Sequence, residues 1–351
     1  PPQCFHFAAA LVLRSAQVSH TQAFSFTATA MTVEEWSSDG FALKRAWRLK
    51  SPHPEFGGFS ALLYLGDDQF LAGSDKGYLF RFDLDAKGPA GGSFNRIGPQ
   101  SARSKTVVDL ESLMLNPDTG QFWGGFERSN TIVRYSHDQH EQVRARPQQM
   151  RGWSDNSGPE AMTMLTDGRV IVIAEQRSGL ADGGHEGLLY PGDPTQGQKA
   201  VRFAYPGEDG HRPTDMAAAP NGKVVLVLRR FELLGDPSFT IALAVADPAK
   251  IRANKAWQSE TVIALPSSLP LDNFEGLALD GSRSDSGLGA NSTSCRVWLL
   301  SDDNVSALQD TILLEFEWDQ CGGLAETPQT AELDTEKPDT EKGAQTALHA
   351  P

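Results

Sequence analysis

Residues 158–177 read Gly-Pro-Glu-Ala-Met-Thr-Met-Leu-Thr-Asp-Gly-Arg-Val-Ile-Val-Ile-Ala-Glu-Gln-Arg. An acidic residue opens a short apolar run, Thr166-Asp-Gly168 supplies turn chemistry, and a β-branched run ends on charged side chains. That order is the signature of a β-hairpin. It recurs along the chain. Gly58-Phe-Ser-Ala-Leu-Leu-Tyr64 pairs with Phe70-Leu-Ala-Gly-Ser-Asp-Lys76, and Leu110-Glu-Ser-Leu-Met-Leu115 with Phe122-Trp-Gly-Gly-Phe-Glu-Arg128. Thr214-Asp-Met-Ala-Ala218 pairs with Val224-Val-Leu-Val-Leu-Arg-Arg230, and Phe274-Glu-Gly-Leu-Ala-Leu279 with Val297-Trp-Leu-Leu-Ser-Asp-Asp303. The leading residues Ser60, Glu111, Glu160, Asp215 and Glu275 are 51, 49, 55 and 60 positions apart. Only the fifth copy departs, with a polar insertion over 281–294 where a tight turn is expected.

A third strand-like run follows each hairpin: Tyr78–Leu84, Thr131–Tyr135, Gly187–Tyr190, Thr240–Val245 and Thr311–Trp318. A hairpin with outer strands, repeated at near-constant spacing, predicts an all-β fold, a β-propeller. Five blades are visible, with room for a sixth. Phe41–Leu49 is placed to supply the outer strand that closes the last blade onto the first. Two β-sandwich domains do not account for the even spacing.

The 351 residues carry 31 Lys+Arg against 45 Asp+Glu, a net charge of −14, with 39% apolar residues. This composition fits a globular chain and argues against a nucleic-acid partner, whose phosphates the protein repels. The apolar runs are strand-sized, far short of the ~18 residues of a membrane helix. Residues 1–39 are expected to lie outside the folded body. Phe5–Leu13 is apolar and Ala28-Thr29-Ala30 resembles a cleavage site, but no basic stretch precedes them, so periplasmic or secreted and cytoplasmic locations both stand. Residues 40–324 form the expected propeller, and 325–351 an acidic tail too poor in apolar side chains to order. Three cysteines, Cys4, Cys295 and Cys321, form no CxxC; a Cys295–Cys321 pair and free thiols both stand.

Within each hairpin a charged residue closes the second strand. Asp75 follows Ser60 by 15 positions, Glu127 follows Glu111 by 16, and Glu175 follows Glu160 by 15. Arg229 follows Asp215 by 14, and Asp302 follows Glu275 by 27 across the insertion. The start of one antiparallel strand lies opposite the end of the next, so these residues are expected on one rim of the central channel. Acidic side chains gathered there repel unless a cation lies among them. Ca²⁺, a hard ion that takes several oxygen ligands, fits such a donor set. The candidate ligands are Glu111, Glu160, Asp215, Glu275, Asp302 and Asp303, with Glu111, Glu160 and Glu275 also the candidate catalytic groups. Lys76, Arg128, Arg177, Arg229 and Arg230 are the candidate anion-binding residues. Cation plus guanidinium suits metal-assisted hydrolysis. The competing account makes these charges solvated rim or partners for backbone amides. There is no GxSxG elbow, HExxH or P-loop.

Several segments resemble, in order and spacing, the phytase-like domain described as "esterase-like activity of phytase". They are Trp47-Arg-Leu49, Phe56-Gly-Gly-Phe-Ser60, Asp109-Leu-Glu-Ser112, Phe126-Glu-Arg-Ser129 and Gly158-Pro-Glu-Ala161 with Ala174-Glu175. Leu228-Arg-Arg-Phe231, Asp272-Asn-Phe-Glu-Gly276, Leu300-Ser-Asp-Asp-Asn304 and Gln309-Asp-Thr311 continue the likeness. Asp310 departs from it, standing where a basic residue is expected. The resemblance implies an exported propeller that hydrolyses an ester or phosphoester. Three functions follow: a monomeric hydrolase of small-molecule esters or phosphoesters, a gluconolactonase-type metal-dependent lactonase, and a non-enzymatic binding propeller.

Overall fold

The computed structural model describes residues 22–97, 108–181, 183–208, 210–232, 238–280, 294–304, 306, 309–319 and 321. Most of the insertion over 281–294, and the acidic tail, lie outside these residues. The described strands form five antiparallel sheets. Blade one runs outward through Phe59–Gly66, Gln69–Ser74, Tyr78–Asp85 and Gly88–Arg96. Blade two comprises Leu110–Leu115, Phe122–Phe126, Thr131–Tyr135 and Glu141–Ala145. Blade three comprises Pro159–Met164, Val170–Arg177, His185–Tyr190 and Val201–Tyr205. Blade four comprises Arg212–Ala218, Val224–Glu232, Ser238–Ala246 and Ser259–Ala264. Blade five takes Asn273–Asp280, Cys295–Asp302 and Thr311–Trp318 from the end of the chain and Phe41–Lys50 from its start.

Each innermost strand contacts the innermost strand of the next blade, and the fifth returns to the first. The protein is a five-bladed β-propeller. The expected closing strand is in place: Phe41–Lys50 pairs antiparallel with Thr311–Trp318, from Trp318 opposite Phe41 to Thr311 opposite Leu49. Asp310 sits at the end of this ladder and binds Arg48 (2.9 Å) and Lys50 (3.6 Å), so the chain's own cations face the acidic residue.

The second strands are apolar along their length because neighbouring blades cover both faces. Phe122–Phe126 is buried at every position, and so is Val224–Leu228 in blade four. The core divides into five apolar clusters, each filling one junction between adjacent blades. Trp298 of blade five, for example, packs edge-on to Phe70 of blade one, with ring centroids 4.9 Å apart.

Residues 22–38 belong to the fold, a correction to the expected boundary at 40. Gln22–Ala23 pairs with the outer edge of blade one and Thr27–Ala30 with Phe41–Lys50 of blade five. The small-residue stretch Ala28-Thr29-Ala30 is therefore part of a strand. Aromatic contact anchors the segment: the Phe24 ring lies 4.5 Å from Phe94 and 5.8 Å from Phe56, and Phe26 lies 5.2 Å from Phe80. Two phenylalanines in a polar sequence gave no periodicity to read.

Cys295 and Cys321 are joined in a disulfide, which ties the second strand of blade five to the segment after its third. Closing a loop across 26 positions stabilises by about 3–4 kcal/mol on chain-entropy grounds. Reduction, or Cys295→Ser with Cys321→Ser, is expected to lower the melting temperature by roughly 5–10 °C. Differential scanning fluorimetry with and without reductant checks this.

Candidate active site

Near the start of each inner strand, the pairing with the second strand slips by one residue. The residues passed over are Ser60, Glu111, Glu160, Thr214 and Glu275. A bulge leaves its extra residue outside the ladder. Five bulges at one level bring Glu111, Glu160 and Glu275 within electrostatic reach of one another. The fourth position is Thr214, not Asp215: the apolar pattern aligned Asp215 with the other leading residues, and the bulge shifts the register by one.

The strand-closing residues lie beside this level. Asp75, Glu127 and Glu175 donate their backbone N–H to the carbonyls of Gly58, Asp109 and Gly158 at 2.9, 2.8 and 3.2 Å. Arg229 faces Arg212, and Asp302 faces Asn273. In Phe56-Gly-Gly-Phe-Ser60 both glycines have positive φ, +95° and +68°. A Cβ would stand 2.5 Å from the Asp303 Oδ1 at Gly57 and 2.2 Å from the Asp75 Oδ1 at Gly58. Glycine is what lets the backbone pass this close to two carboxylates.

Two groups of acids have oxygens within 4.8 Å of one another: Asp109, Glu111 and Glu127, and Glu127, Glu160 and Glu175. Glu127 belongs to both. Burial, then repulsion from Asp109 and Glu175, pushes its pKa up to about 7 against the pull of Arg128 and the Gly158 amide. Burial raises Glu111 well above the carboxylate range, with Glu160 and Glu275 adding to it. Burial also raises Glu160, reinforced by Glu175 and Glu275. Glu275 is raised by burial while the Arg229 guanidinium opposes the shift. Asp302 is pushed up to about 8 by burial and by Glu275.

Most of the cations near this mouth are engaged. Arg128 Nε donates to Asp109 Oδ2 at 2.5 Å, and Arg212 Nη1 to Glu175 Oε1 at 2.7 Å. Arg229 Nη1 donates to both Asn273 Oδ1 and Glu275 Oε1. Arg230 binds Glu232 at 2.5 Å, two positions along its own strand. Lys76 Nζ donates to the Phe56 carbonyl at 3.2 Å. Arg177 is exposed at its strand end, across from His185.

Two of the acids expected as ligands have other work. Asp215 is fully buried and accepts the backbone N–H of Met216 (2.8 Å) and Leu277 (2.7 Å), with a further backbone bond from Leu62. It therefore ties the inner strands of blades four, five and one. Asp303 accepts the Gly58 N–H at 3.0 Å and the Thr311 hydroxyl at 3.2 Å, which joins blade five to blade one.

The model of the phytase-like family, "esterase-like activity of phytase", matches residues 54–305. The chain belongs to this family. No curated protein matches it. Among solved structures, a PQQ-bound aldose sugar dehydrogenase from Streptomyces coelicolor is 14% identical with a TM-score of 0.43, over 84% of this chain and 98% of that one. A gluconolactonase from Xanthomonas campestris is 10% identical with a TM-score of 0.42, over 83% of this chain and 100% of that one. Hydrazine synthase from Kuenenia stuttgartiensis is 10% identical with a TM-score of 0.35, and the match spans 63% of its length and 74% of this chain's.

For the phytase-like chain the structure thus assembles Glu111, Glu160, Glu275 and Asp302, and adds Asp109, Glu127, Glu175 and Arg212 to the mouth. Glu127 and Glu175 were legible as strand-closing acids. Arg212 had no repeat signal, because glycine holds its position in blades one and three.

Two predictions follow from these charges. A carboxyl with a raised pKa binds its proton more tightly folded than unfolded. Between the unfolded value of about 4 and the folded values near 7 for Glu127 and 8 for Asp302, the folded state holds the extra protons. Stability in chelator therefore falls as pH rises through this window. Glu160→Gln should restore about 1–3 kcal/mol at pH 8 and nothing at pH 4, as read by urea unfolding at both values. Asp215→Ala strands three amides and should cost about 3 kcal/mol or more while leaving cation affinity intact in titration of the folded protein.

Proposed function

We propose that the carboxylate mouth hydrolyses an ester or phosphoester with a bound divalent cation, Ca²⁺ by the chemistry of the donors. The observation that carries this reading is Glu127, shared by two groups of carboxylates whose oxygens lie within 4.8 Å of one another, and itself pushed up to about 7. The donors are hard anionic oxygens on different strands, a set that suits Ca²⁺. Asp109, Glu111 and Glu127 would hold it on one side, and Glu160 and Glu175 with Glu127 on the other. A cation bound there supplies Lewis-acid polarisation of the ester or phosphoryl oxygen. Glu275, which lies outside both ligand groups, would take a proton from the attacking water and return it to the leaving-group oxygen. Arg229 opposes the burial that raises Glu275, and Arg128 and Arg212 hold Asp109 and Glu175 in place.

The ion pairs favour a second reading of the substrate. Arg128, Arg212 and Arg229 are bound to carboxylates and not poised to receive a phosphate, which favours an uncharged ester or a lactone, while Arg177 is the exposed guanidinium of the set. The Cys295–Cys321 bond suits an oxidising compartment, periplasmic or extracellular. Among the described residues no helix is long and apolar enough to cross a membrane.

Calorimetry with Ca²⁺, run beside hydrolysis of lactone, carboxylic-ester and phosphate-ester panels, tests the proposal. Cation binding should release protons, visible as a buffer-dependent heat. Glu275→Gln should reduce turnover by at least about a hundredfold. Metal-independent turnover, or no cation binding, overturns the reading, and absence of both binding and turnover leaves the binding propeller in its place.

A further inference from the structure

The propeller has a second concavity, at the end of the channel opposite the carboxylates. It encloses about 810 Å³, within the roughly 300–1,000 Å³ of small-molecule sites. Its floor takes one buried apolar side chain from each blade, Leu62, Leu113, Met162, Met216 and Leu277. Each lies two residues beyond its strand's bulge, so an apolar layer separates the cavity from the acidic mouth. The walls carry Leu65, Leu115, Met164 and Leu279, none of them fully buried. Gln69, Arg81, Asn116 and His137 stand towards the rim, and the buried Thr163 and Asp280 also belong to the lining. Four of the protein's six methionines, Met114, Met162, Met164 and Met216, line this one space.

We propose that this cavity is a second binding site, for a small molecule with an extended apolar body and a polar end that stays at the rim. Apolar side chains left in contact with water on five converging strands gain by covering an apolar guest. Methionine's unbranched, polarisable side chain adapts to guests of different shape. No carboxylate of the catalytic mouth reaches the cavity, so occupancy is independent of the cation and of the proposed hydrolysis.

Titration of the whole protein with the neutral fluorophore N-phenyl-1-naphthylamine, followed by displacement with decanol, tests the assignment. A single saturable site is expected, with decanol competing. Met164→Lys and Leu115→Lys place an ammonium in the apolar wall and should each weaken binding at least about tenfold. Glu160→Gln at the opposite mouth should leave it unchanged. Both wall variants alter partly exposed side chains, and thermal melts verify that they fold. Absence of saturable binding, or binding that neither wall variant weakens, overturns the proposal.

Discussion

The ladder between Phe41–Lys50 and Thr311–Trp318 is the constraint on which the remaining geometry rests. It is the one sheet built from both ends of the chain, and it turns five successive sheets into a ring. Closure leaves a second problem at the centre, where each inner strand presents an unpaired backbone edge to the axis. Side chains meet that need. Ser60 donates to the Leu110 carbonyl, Ser112 to Pro159 and Thr214 to Phe274, each reaching the next blade. Asp215 takes the amides of Leu277 and Met216. The outer ladder and these inner cross-links together hold the five bulges at one level.

That arrangement gathers carboxylates at a cost. Glu111, Glu160 and Glu275 face one another at a part-buried mouth, and burial raises all three. Arginines offset part of the repulsion, each beside a particular acid, and Glu111, Glu160 and Glu127 are left raised. A group that holds its proton too tightly is also one that yields much when a cation replaces that proton. On the proposed reading, instability without a cation and affinity for one share an origin.

The fold was legible because the repeat is carried by strong local signals. Turn dipeptides, β-branched runs and near-even spacing all agree, and Phe41–Leu49 was visible as a strand without a partner. The level of the site was legible too, since antiparallel pairing fixes which residues share a rim. Register was not. Thr214 and Asp215 differ by one position, and only the bulge decides which joins the ring. The roles of the arginines were equally hidden, because Arg128, Arg212 and Arg229 find their acids across strands or blades at distances no sequence spacing records. Phe24 and Phe26 were missed for a related reason: their partners, Phe94, Phe56 and Phe80, lie far along the chain.

The composite fifth sheet also sets a timetable. Arg45 and its partner Glu315 are separated by 270 residues. A ribosome adding about 5–20 residues per second needs roughly 15–55 s to bridge that gap. For that interval the nascent chain carries one edge of Phe41–Lys50 without its partner strand, and Phe41 and Leu43 without the late residues of their cluster. A strand that seals the finished molecule is, during synthesis, its most adhesive surface, and a cell making this protein must keep it solitary until the last strand emerges.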